Sequence, residues 1–174
     1  MTKRQEAELR EAHERASRAR RWATVADLRG QLNSRRPQQR LFALALMRRQ
    51  AIQRHPLQSY RRLALPLVDD PNNNCRWQAL IILGEFVASD PEKVWPIVRK
   101  YGDHRDPDMR TGVATILLEH LLERHFASYW PRVKRMVRRS PSRFADTLSR
   151  AWLLGRARGY SREVNQVLKQ AAAK

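Results

Sequence analysis

The chain has 174 residues, 42% of them hydrophobic, enough for one ordinary domain or a short repeat array with a folded core. Its formal charge is +18, from 35 Lys and Arg against 17 Asp and Glu, a field that attracts polyanions: nucleic acid, an anionic membrane surface or an acidic protein. A single cysteine, Cys75, excludes an intramolecular disulfide and a cysteine-based zinc site, and no apolar run approaches the roughly 18–20 residues of a membrane span.

In chain order, the first predicted element is a helix over residues 3 to 20, "KRQEAELREAHERASRAR", charged on most sides with a thin Ala/Leu line. Glu6–Arg10 and Glu11–Arg15 are i, i+4 pairs that support an exposed helix. Residues 1–21 are therefore read as a charged N-terminal helix or arm, a solvated cap or else a partner-binding segment. They precede a helical domain over 22–174. There, polar turns ending in proline recur at Pro37, Pro71, Pro107 and Pro141, at intervals of 34, 36 and 34. Each turn lies between a shorter and a longer helix-like run, and such a period marks a repeat array. The predicted units are 22–54, 56–88, 91–124 and 126–158, with a closing helix over 160–173.

Asp70, Asp106 and Ser140 each precede a turn proline. Their side-chain oxygens can accept from free N–H groups at a helix start, and proline tolerates the first helical position. Pro66 lies close to its turn, so the first helix of the second unit is expected to end early. In the third unit Val113, Ile116, Leu117 and Leu121 make a helical stripe. The phrase Trp-Pro-x-Val occurs at Trp95-Pro96 and again at Trp130-Pro131, 35 residues on. The tryptophans are expected to fill packing between helices and the prolines to bend them.

The stretches "LVDDPNNNCRWQALIILGEF" and "YGDHRDPDMRTGVATILLEHLL" resemble HEAT repeats, with an Asp in the inter-helix turn and an Arg, Arg76 or Arg110, at the start of the second helix. The resemblance covers roughly residues 22 to 158; the first unit lacks the turn Asp and the fourth has Ser140 in its place. It implies an all-α fold: an αα-hairpin superhelix, or HEAT-like solenoid, of about four helix pairs with an N-terminal helix. It also implies a structural ladder in which Arg76 and Arg110 pair with turn aspartates, Asp70 and Asp106 being the candidates.

Charge is concentrated at the end. Residues 125 to 174 carry 12 Lys and Arg against 2 Asp and Glu, a net +10. The candidate nucleic-acid-binding residues are Arg132, Lys134, Arg135, Arg138, Arg139, Arg143, Arg150, Arg156 and Arg158. Arg135, Arg138 and Arg139 have i, i+3, i+4 spacing, and a concave stack of second helices is expected to present such side chains as a stripe to a phosphate backbone. Solvation of a basic face is the plainer reading of the same charges. The histidines have no metal-ligand spacing: "EHLLERH" is not HExxH. His120 is placed to contact Glu123 or Arg124, and Cys75 is read as an inert thiol in or beside the core. No phosphate loop, catalytic triad or dinucleotide fingerprint occurs, and no cofactor is implied.

The favoured reading is a non-enzymatic binding module for nucleic acid or an acidic protein, cytoplasmic, with its oligomeric state undetermined. The alternatives are a protein-interaction scaffold and a HEAT-like DNA glycosylase. For the latter Trp77, Trp152 and Asp146 are raw material, without a matching motif.

Overall fold

The computed structural model describes residues 2–19, 23–54 and 58–173. The expected junction between the N-terminal arm and the first unit, at 21 and 22, lies outside the described residues, as does residue 56, the expected start of the second unit. Every regular element among the described residues is helical, and none is long and apolar enough to cross a membrane. The chain divides into two compact units, Met1–Glu85 and Phe86–Lys174.

In the first unit, α1 (Lys3–Arg18) opens with a capping box in which Thr2 and Gln5 satisfy each other's backbone N–H groups. Its Ala12 and Ala16 are buried against α3 (Pro37–Arg54), where small side chains allow close approach. Arg49 of α3 donates to the carbonyls of Ala16 and Ala19, closing the end of α1. The charged N-terminal helix is thus an integral layer of this unit. A second capping box, Thr24 with Asp27, starts α2 (Val25–Leu32). Helix α3 buries residues nearly all round, Leu41 and the run Ala43–Met47 among them, because α1, α2 and α5 (Asn73–Gly84) surround it. Helix α4 (Gln58–Ala64) stops before a 3-10 turn, Leu65–Asp69, that contains Pro66, as the position of that proline predicted.

In the second unit, α6 (Pro91–Tyr101) is followed by one continuous helical path: α7 (Pro107–Gly112), a π-helical segment (Val113–Leu118) and α8 (Glu119–Arg139). The path breaks at His125, whose φ of −131° and ψ of 35° are non-helical. His125 lies between the expected units 91–124 and 126–158, and Pro131 stays inside the helix that follows it. The core gathers Val94, Val98, Val113, Leu117, Leu118, Leu121 and Phe144, all fully or nearly fully buried. Gly102 is required there: a Cβ on it would stand 2.7 Å from the Phe144 ring.

The last helix pair departs from expectation. The run after Pro141 was read as helix through residue 158, but α9 (Arg143–Arg150) has only eight residues. Residues 151–154 are not helical, and a 3-10 turn (Gly155–Tyr160) leads into α10 (Ser161–Ala172). The Trp-Pro tryptophans also differ. Trp130 is buried and stacks on Phe126 at 5.3 Å, whereas Trp95 is half-buried with its ring tilted against Tyr129 at 5.6 Å.

Candidate nucleic-acid interface

One arginine device recurs. Arg40, Arg76 and Arg110 stand near the start of α3, α5 and α7 respectively, and each donates Nη1 to the carbonyl six residues earlier: Ser34 at 2.8 Å, Asp70 at 3.2 Å and His104 at 2.7 Å. The guanidinium thus satisfies turn carbonyls that have no helical partner. Beside it, Asp70 accepts from the N–H of Asn72 at 2.8 Å and Asp106 from that of Asp108 at 3.0 Å. Arg40 and Arg110 also bridge to a carboxylate of the following helix pair. Arg40 meets Asp70 through two parallel bonds of 2.6 and 2.9 Å, and both side chains are buried. Arg110 meets Asp146 at 2.8 Å. Arg76 reaches Asp70 through its carbonyl and also donates to Asn73 at 2.7 Å.

Arg40 and Asp146 were not anticipated as members of this set. A signal for Arg40 was present: it stands three residues after Pro37, as Arg110 stands three after Pro107. Asp146 carried none, because it lies within α9 instead of before a proline.

The nine predicted contact residues fall into two groups. Arg132 bonds Glu92 at 2.9 Å and lies over the Tyr129 ring, Lys134 bonds Glu163 at 3.0 Å, and Arg150 makes a bidentate pair with Asp146 and a bond to Thr111. Their charges are engaged in holding helices together. Arg143, though exposed, is engaged as well: its Nη1 donates to the Asp103 carbonyl at 3.4 Å and its Nε lies 3.8 Å from the Asp103 carboxylate. Arg135, Arg138, Arg139, Arg156 and Arg158 are exposed and have no acidic partner among the described residues. The first three share the solvent face of α8, the first helix of its pair; the last two stand on the 3-10 turn. Arg162, on α10, is likewise exposed. Beside Arg138 lies a cavity of about 430 Å³ between α8 and α10, lined by Val137, Pro141, Val167 and Ala171 with Lys134 at its edge.

No family model, curated protein or solved structure matches the chain. The resemblance to HEAT repeats therefore rests on the residues themselves.

The titratable groups complete the site's electrostatics. Burial opposes ionisation of Asp146, but hydrogen bonds from Arg150 and Arg110 outweigh it and hold its carboxyl below the ordinary carboxylate range. Hydrogen bonds from Trp130 and Lys134 do the same for Glu163. These are the only two acidic residues in 125–174, and both are engaged. Asp146, considered as a catalytic group, is thus in the setting of a structural anion held by two guanidiniums. His120 lies 3.3 Å from Glu123, and burial pushes the Cys75 thiol up to about 12.

Proposed function

We propose that this is a HEAT-like helical repeat protein that binds nucleic acid without catalysing a reaction, through the exposed arginines of its C-terminal half. The carrying observation is the spent state of the local acids. Asp146 and Glu163 are each bonded to other groups, so nothing in 125–174 neutralises Arg135, Arg138, Arg139, Arg156, Arg158 and Arg162. A guanidinium set without counter-charge, on rigid helical elements, is suited to a partner whose negative charge repeats along a chain. The repeat reading is supported by the arginine clamp at residues 40, 76 and 110, at intervals of 36 and 34, close to the 34 and 36 of the prolines in the same turns.

The test combines Arg135→Glu, Arg138→Glu and Arg139→Glu. These side chains are exposed, so the triple variant is expected to keep its helical circular dichroism and lose at least about tenfold affinity for a short oligonucleotide at low salt. Unchanged affinity in a folded triple variant would remove this face from the interface.

A further inference from the structure

We propose that the segment 151–154 and the 3-10 turn after it form a stacking site for an unpaired base, with Trp152 as the platform and Arg156 and Arg158 as phosphate contacts. This rests on the nucleic-acid reading above and adds that the strand is single.

Trp152 is 71% exposed, more than any other large hydrophobic residue described. A side chain of this size normally reduces its contact with water, and a frayed end could explain such exposure without function. Here the backbone is tied at the ring's own residue and turned sharply just after it. The Trp152 N–H donates to Oε2 of Glu119, a buried carboxylate, at 3.2 Å. Three residues on, Gly155 adopts φ +49°, and its Cα faces Glu123 so closely that a Cβ would stand 2.7 Å from that side chain. Only glycine accepts both the left-handed backbone and the contact. Glu119 of α8 therefore anchors the segment, and the Gly155 turn directs the chain away from the axis of α9. Ala151 is buried, Trp152 exposed and Leu154 39% exposed, so the extended chain presents the indole away from the core.

The surroundings select the ligand. Arg156 and Arg158 follow within six residues, both exposed and without acidic partners among the described residues. An exposed indole followed in the chain by two exposed guanidiniums matches a base joined to its phosphate, and stacking accepts any base. In a duplex the base faces are covered by their neighbours, so the platform requires a single strand.

The experiment is a fluorescence titration of the full chain with an oligo(dT) of about 12 nucleotides and with a duplex, at low salt. Wild type is expected to bind the single strand with quenching. Trp152→Ala should lose about tenfold in single-strand affinity while its duplex affinity is unchanged, and Trp152→Phe should retain most of it. Arg156→Gln with Arg158→Gln should weaken single-strand binding in a protein whose aromatic side chains are intact. Wild-type affinity in Trp152→Ala overturns the stacking site and leaves the polyanion reading standing. An equal loss for both nucleic acids also overturns it. Failure of the wild type to bind either probe overturns the underlying reading.

Discussion

At Asp70 one carboxylate holds two jobs: it accepts from the Asn72 N–H in the turn before α5 and neutralises the buried Arg40. Removing one partner of a buried ion pair leaves the other charge uncompensated, which costs about 3–5 kcal/mol. Asp70→Ala should lower stability by about that amount in urea denaturation. A change below about 1 kcal/mol would mean that solvent reaches Arg40. Asp146 gives a pH signature. Its folded carboxyl titrates below the ordinary value of 3.8, so the stabilisation from its arginine bonds is complete above that value and is lost as pH falls through the folded one. Asp146→Asn should therefore be less stable at neutral pH, yet lose less further stability than wild type between about pH 4 and pH 2. Cys75, buried and with its thiol pushed up to about 12, should resist a thiol reagent in the native protein and react after denaturation. Much of this was legible beforehand. Aspartate before proline is a local signal with a local cause: Asp106 caps α7, whereas Asp70 braces the turn and α5 is capped two residues later by Asn72. The partner across helices, Arg40 to Asp70 or Arg110 to Asp146, depends on packing between segments 30 or 36 residues apart, which no local pattern encodes.

The helices themselves were read well where proline and apolar spacing agreed, and less well where tertiary contacts overrode them. Helix α4 ended where Pro66 predicted; α9 ended eight residues early because Glu119 captures the Trp152 N–H. That glutamate lies 33 residues away and carries no mark in the sequence. Gly155→Ala tests the strap directly. It forces a Cβ into both a left-handed backbone and the Glu123 contact, and should destabilise by about 1–3 kcal/mol. The two Trp-Pro phrases, identical as text, separate in the same way. Trp130 is buried, stacks on Phe126 and donates its indole N–H to Glu163, whereas Trp95 is half-buried. Trp130→Ala should cost about 3–5 kcal/mol in chemical denaturation and Trp95→Ala distinctly less.

Charge is the property that extends beyond any one helix. The count of +10 in residues 125–174 was visible from composition, but the division of labour within it was not. Arg132, Lys134 and Arg150 hold helices together, while Arg135, Arg138, Arg139, Arg156 and Arg158 face solvent without counter-charge. Only coordinates separate the two groups, because spacing alone gives both the same face. The measurement that bears most directly on function is the salt dependence of binding to a single-stranded oligonucleotide, followed in wild type and in the Arg135→Glu, Arg138→Glu, Arg139→Glu triple variant. Each phosphate neutralised contributes about −0.7 to the slope of log K against log salt for single strands. The expected result is a clearly negative wild-type slope that moves toward zero in the triple variant. A wild-type slope near zero, or a slope the triple variant leaves unchanged, would contradict a phosphate-binding role for these arginines.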